Sequence, residues 1–221
     1  MSQAKPVHSI APPPNSRADV RAQLLAGIER IADVISEHKS AAEAQRTLAP
    51  EVVTAMRGVG LFAMKSPRET GGAEIHPVDQ MEVVEAVVKV DSAAAWTMFI
   101  GATVTGRALS ALSDEAVDEL MAAPDFPIMA GSLKPSGSAT KVDDGFRISG
   151  QWAWGSGVHH ADHVIVPVLR PDEKGLITAV VPRSRVRIID NWQALGINGS
   201  GSCDYALDDV FVPEHFAITT P

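Results

Sequence analysis

Residues 139–157 read ATKVDDGFRISGQWAWGSG. Asp144-Gly145 sits between two short runs that alternate apolar and polar residues, and an Asp-Gly pair supplies the positive-φ turn that a tight hairpin needs. Downstream, HVIVPVL, LITAVVP, VRIID and YALDDVFVP are further short strand-like runs separated by Pro, Gly and charged turns. Upstream the pattern is helical. Ser16 suits the cap of a helix with Val20, Leu24, Ile28, Ile31 and Ile35 on one side, close to a 3.6-residue period. Pro50 opens a second helix, EVVTAMRG, and Pro77 a third with Val78, Met81, Val84 and Val88 on one side. The stretch AAAWTMFIGATVTGRALSAL, Ala93 to Leu112, is apolar nearly all round and reads as a central buried helix. Ser113 caps a last helix that carries Asp114 and Glu115 in its first turn.

Helices first and strands second predict an α+β fold with segregated layers: an all-helical N-terminal domain over 18–125 and a small antiparallel β-barrel over 126–216. Residues 1–17, with their prolines and small polar residues, read as a disordered leader.

The net charge of −8 offers no basic face, which argues against nucleic acid and anionic membranes as partners. No apolar run is long enough to span a bilayer. The single cysteine, Cys203, excludes an intrachain disulfide, fits a cytoplasmic setting, and reads as a small packed residue. Gly196, Gly199 and Gly201 give G-x-x-G-x-G, the reverse of the dinucleotide fingerprint, with no helix signal after them. His159, His160 and His163 have no cysteine beside them and only Asp162 near, so no metal is expected there and a hydrogen-bonded cluster is the better reading. The loop KPSGSA, 134–139, is either an anion cradle of small residues or a plain connection before the hairpin.

The tip of the third strand asks for more. On a regular strand Trp152 and Trp154 share a face, and Ser156 joins them if the strand continues. Aromatic planes, a hydroxyl and glycines suit a flat, hydrogen-bonding ligand. Equally, one tryptophan fills the core and the other covers it.

The stretches LAPEVVTAMRGVGLFAMKSPRETGG, VDSAAAW, GSLKPSGSATKVDDGFRISGQWAWGSGVHHAD and WQALGINGSGSCDYALDDVFVPEHF occur in an order that resembles the acyl-CoA dehydrogenase superfamily. They look most like its flavin-dependent monooxygenase branch, which includes dibenzothiophene monooxygenase and the oxygenase component of p-hydroxyphenylacetate hydroxylase. The resemblance implies a helical domain, a β domain and then a helical bundle. The third would start at 217–221 and come from further chain or from a partner, with a homo-oligomer expected. It implies FMN or FAD as cofactor, delivered reduced by a flavin reductase, with O₂ and a small organic substrate, aromatic or otherwise. By position it places Ser132, Gly137, Ser138, Trp154, Ser156 and Trp96 against the flavin, with the Ser156 hydroxyl near the N5 edge of the ring. Ser200-Gly201-Ser202 matches a nearby loop, with Asn198 where many relatives carry arginine. It assigns no catalytic side chain to this stretch. The alternatives are an acyl-CoA dehydrogenase relative, whose members tend to carry an acidic residue in the KPSGSA loop, and a non-catalytic truncated binding subunit.

Overall fold

The protein is described by a computed structural model, over residues 16–169 and 175–220. The disordered leader expected over 1–17 falls almost wholly outside the described residues. Ser16 and Arg17 fall inside them and are already the cap and first residue of a helix.

Five helices come first: α1 (Arg17–Gln45), α2 (Pro50–Gly58), α3 (Pro77–Val88), α4 (Ser92–Leu109) and α5 (Asp114–Met121). Side chains cap four of them: Ser16, His76, Asp91 and Ser113 each accept a hydrogen bond from a first-turn amide. Proline at the first position of α2 and of α3 costs nothing, because that N–H has no helical partner. The apolar side of α1 packs with Val52, Val53, Met56, Val83, Val87 and α4 in one core. The third helix departs from the sequence reading. It buries Gln80, Val83 and Val87 and leaves Val78, Met81 and Val88 about half exposed or more. The reason is Asp79, whose carboxylate takes a two-pronged ion pair from Arg17 at 2.6 and 2.8 Å with its own side chain 3% exposed. That clamp turns the 80/83/87 side inward.

Eight strands follow: β1 (Met129–Gly131), β2 (Ser138–Val142), β3 (Gly145–Gly155), β4 (His163–Leu169), β5 (Leu176–Pro182), β6 (Arg187–Ile189), β7 (Cys203–Pro213) and β8 (Ala217–Thr220). The expected hairpin is present, with Val142 opposite Gly145 and Asp144 at φ 60°. The strands make two four-stranded sheets, β1-β4-β5-β8 and β2-β3-β7-β6, over a common core that includes Ile148, Trp152, Val166, Ile177, Tyr205 and Val210. This corrects the antiparallel barrel in two respects. The sheets do not close on each other, and β1 runs parallel to β4. The edge strands β1 and β6 have three residues each. Ala217–Thr220 pairs antiparallel with β5 as an edge of the first sheet.

The two halves are joined by polar contacts that run from the surface inward. Asp162 accepts from the Ile128 amide at 2.8 Å and from the Arg57 guanidinium at 2.8 Å. The Thr105 hydroxyl of α4 accepts from the Met129 amide at 2.9 Å. Among the described residues no helix is long and apolar enough to cross a membrane.

Candidate functional site

The site grows out of a fault in one ladder. Trp152 pairs with Tyr205 and Gly155 with Cys203, so β3 advances three residues while β7 advances two. The extra residue is a β-bulge, and it puts Trp154 at φ 61°, a backbone conformation that a bulky side chain adopts only under constraint. The shared face expected for the two tryptophans is therefore lost. Trp152 is 1% exposed, stacks on Tyr205 with ring centroids 5.7 Å apart, and donates its indole N–H to the Pro167 carbonyl at 2.8 Å. Trp154 points out and is 67% exposed, with its backbone N–H on the Asp204 carboxylate at 3.3 Å. Gly155 is required at the next position, since a Cβ there would lie 2.8 Å from the Tyr205 ring.

Ser156 follows the last residue of the strand and sits in a turn, not on the strand face. Its side chain is buried, and its Oγ accepts from the Trp96 indole N–H of α4 at 3.0 Å. On its other side Ser156 Oγ lies 2.7 Å from Ser202 Oγ, which lies 2.8 Å from Ser200 Oγ. Four side chains from three segments thus form one line running from a half-exposed indole into a fully buried loop. Trp96 in turn is flanked by Phe99, with ring centroids 6.0 Å apart.

The loop that carries Ser200 is held from α1. Glu43 accepts from the Asn198 side-chain amide at 2.8 Å, and Asn198 also bonds both the N–H and the C=O of Ala194. A Cβ on Gly199 would come within 3.1 Å of Ala42 and 3.2 Å of Ala93, so glycine lets the loop press between α1 and α4. Arg46 closes the same region through Asp190 at 2.6 Å and the Trp192 carbonyl at 2.9 Å.

The other sequence-derived positions are placed as follows. Ser132 donates its backbone N–H to the Tyr205 hydroxyl at 2.8 Å, and Tyr205 donates to the Ile165 carbonyl at 2.8 Å. Tyr205 therefore bridges Ser132 and Ile165 while its ring packs against Gly155; burial pushes its phenol well above the ordinary range, so it stays a neutral donor. Gly137 holds φ 69° with its backbone pressed on Ser149 and Gly150, and exposed Ser138 starts β2. The amides of Lys134 and Ser136 are already bonded, to Ser132 Oγ and the Pro167 carbonyl, which favours a plain docked loop over an anion cradle. Trp96, Trp154 and Ser156 are brought together; Gly137 and Ser138 are not tied to them by any hydrogen bond among the described residues.

The histidines have separate duties. His160 Nε2 accepts from the Leu48 amide at 3.2 Å and lies 3.1 Å from Thr47 Oγ1, which fastens the α1–α2 junction to the β half. Burial lowers its pKa from 6.5 to about 4, with His159 adding to the shift, so it is neutral at pH 7. His159 Nε2 lies 3.4 Å from Cys203 Sγ, and burial raises the Cys203 thiol, leaving it protonated and packed. Among the described residues no three His, Cys, Asp or Glu side chains converge as a metal site.

Sequence reasoning missed Tyr205 and undervalued Ser200 and Ser202. The signal was available only in part: GSGSC is a run of small residues that gains meaning once the loop is seen to meet Ser156.

Comparison with known proteins places the fold in a family. Residues 23–121 match the acyl-CoA dehydrogenase N-terminal domain. The chain is 31% identical over 197 residues to the flavin-dependent monooxygenase oxygenase subunit HsaA of Mycobacterium tuberculosis, covering 87% of this chain and 49% of that protein. It is 30% identical over 219 residues to the oxygenase component of the FADH(2)-dependent resorcinol hydroxylase of Rhizobium sp., covering 96% of this chain and 53% of that one. Among solved structures, XiaF from Streptomyces sp., in complex with FADH2 and glycerol, superposes with a TM-score of 0.84 at 25% identity, over 92% of this chain and 52% of its own. The chain belongs to the acyl-CoA dehydrogenase superfamily, and its relatives there are flavin-dependent monooxygenases. It spans about half the length of the curated relatives it matches.

Proposed function

We propose that this chain forms the flavin-contacting part of the oxygenase component of a two-component monooxygenase that hydroxylates a small aromatic substrate in the cytoplasm. The observation that carries the reading is the bulge at Trp154. A tryptophan held 67% exposed at φ 61° contributes nothing to the core, yet it stands two residues from a buried hydroxyl bonded to a second indole. A flat heteroaromatic ring with a hydrogen-bonding edge fits that pairing of a free aromatic surface and an anchored polar group. On this reading Trp154 packs against the ring, Ser156 meets a ring heteroatom, and Trp96 with Phe99 keeps water from the reacting face. Tyr205 holds Ser132 and Gly155 at fixed separation beneath it. Reduced flavin, FMN or FAD, supplies the two electrons with which one atom of O₂ enters the substrate and the other leaves as water. The protein contributes orientation, electrostatics and dryness. A separate reductase delivers the reduced flavin. The names of the relatives, an FADH(2)-dependent resorcinol hydroxylase among them, support an aromatic substrate.

The test supplies the protein with reduced flavin from an unrelated reductase, ¹⁸O₂ and a panel of phenols and arylacetic acids. Incorporation of ¹⁸O into one of them is expected. Release of all reducing equivalents as hydrogen peroxide, equally with and without every candidate, contradicts the reading.

A further inference from the structure

One side chain interrupts the ladder between β1 and β4. Their parallel pairing runs from Met129 opposite His163 to Gly131 opposite Ile165. The His163 amide donates to the Ile128 carbonyl at 3.3 Å, and the evenly spaced bonds of a parallel ladder then call for a last rung from the Ser132 amide to the Ile165 carbonyl. The Tyr205 hydroxyl stands in that gap instead. It accepts from Ser132 at 2.8 Å and donates to Ile165 at 2.8 Å. Gly131 makes room for it. The backbone there turns to φ 137°, and a Cβ would lie 2.6 Å from the Ile165 carbonyl oxygen and 3.0 Å from the hydroxyl. Tyr205 reaches this point from β7, in the other sheet, and is fully buried. The same ring stacks on Trp152 and packs against Gly155. One rigid side chain thus spans from the end of β1 to the bulge, with Ser132 at its polar tip and Trp154 and Ser156 on either side of the glycine its edge touches. The Ser132 hydroxyl accepts from the Lys134 amide at 3.2 Å, and its own hydrogen has no acceptor among the described residues.

We infer that Tyr205 is a positioning residue whose hydroxyl, wedged into the parallel ladder in place of one rung, sets where the Ser132 hydroxyl stands relative to Trp154 and Ser156. The wedge holds amide and carbonyl apart by two hydrogen bonds where a direct rung would use one of about 2.9 Å. A buried phenol has to find partners, whereas phenylalanine would fill the same core space and leave the rung free to close. Closure draws Ser132 toward β4 by on the order of 1–2 Å and changes the span between the two sides of the site. The inference rests on the flavin reading for the ligand that Ser132 meets, not for the wedge. On that reading Ser132 and Ser156 address the ring from two separate segments, and Tyr205 fixes the distance between them.

Tyr205→Phe tests this on the full chain with two readouts. The first needs no flavin: the backbone ¹H–¹⁵N resonance of Ser132 moves in the variant, while that of Gly155, which meets only the ring, stays near its place. An unmoved Ser132 resonance overturns the inference. The second is the dissociation constant of reduced FMN, measured anaerobically in the wild type, Tyr205→Phe, Ser132→Ala and the double variant. Tyr205→Phe weakens binding by about fivefold, the worth of roughly one hydrogen bond. In the Ser132→Ala background it weakens binding no further, because the two changes act through one contact. Equal weakening in both backgrounds, which is what general loosening of the core would produce, overturns the positioning role. Should Tyr205→Phe not fold, the wild type reads the wedge directly. The chain holds one tyrosine, so its buried hydroxyl proton gives a single resonance, expected to show cross-relaxation with the Ser132 amide; absence of that peak overturns the wedge. If neither FMN nor FAD binds the wild-type chain while the Ser132 resonance still moves in Tyr205→Phe, the flavin reading fails and the wedge stands.

Discussion

The two ends of β3 obey different rules. From Gly145 to Ile148 the strand pairs residue for residue with β7, Phe146 and Ile148 turn into the core, and Arg147 turns out to Asp209. From Trp152 to Ser156 the ladder slips by one residue, a tryptophan is thrown outward and a serine is drawn in. Two tryptophans two positions apart thereby acquire opposite duties, one in the core and one on the surface. The regular end secures the sheet. The faulted end holds its side chains at the cost of local strain, as backbone outliers at ligand sites commonly do.

That contrast is breakable by substitution. Trp152→Ala removes a fully buried, stacked and hydrogen-bonded ring and is expected to cost about 3–5 kcal/mol in chemical unfolding. A cost below about 1 kcal/mol would show that the buried end is not the structural one. The junction between the halves gives the next effect. The native pKa of His160, about 4, lies below its unfolded value of 6.5, so the native state binds fewer protons between those limits. Its contribution is fully present above pH 6.5 and is lost as pH falls toward 4, to a limit of about 3 kcal/mol. His159 and His163, also lowered by burial, act in the same direction. Urea unfolding should therefore weaken across that window, and His160→Gln should flatten the slope; an identical slope in the variant would remove His160 from the account. Gly155→Ala sharpens the comparison from within the bulge. Its methyl meets the Tyr205 ring at 2.8 Å, and overpacking of this kind costs about 1–3 kcal/mol. Thermal denaturation unchanged from wild type would mean that the close approach at Gly155 is not needed. The smallest effect on stability belongs to Trp154→Ala, within about 0.5 kcal/mol, because an exposed ring leaves no cavity. A large loss there would place Trp154 among the structural residues.

The helix order, the hairpin at Asp144-Gly145 and the change from helices to strands were legible because capping residues, prolines and turn pairs act locally. The inward side of α3 was not. Val78, Met81 and Val88 compete with Val83 and Val87 as apolar stripes, and the choice is made by an ion pair between Arg17 and Asp79 sixty-two positions apart. Likewise the residue types of the site were readable at Trp96, Trp154 and Ser156, but their arrangement was not. Alternation predicts a shared face for Trp152 and Trp154, and only the one-residue slip against β7 undoes it. The link from Ser156 to Ser202 spans forty-six positions and depends on a loop pinned by Glu43, which no local pattern announces.

The central claim is that the outward tryptophan exists for a flavin ring. It is tested most directly by anaerobic titration of reduced FMN and FAD into the wild-type protein and into Trp154→Ala, followed by fluorescence, with thermal denaturation of both run alongside. The account predicts binding of reduced flavin by the wild type, at least tenfold weaker binding by the variant for an aromatic contact of about 1.4 kcal/mol or more, and coincident melting curves. Equal affinities in the two proteins, with both folded, would contradict it.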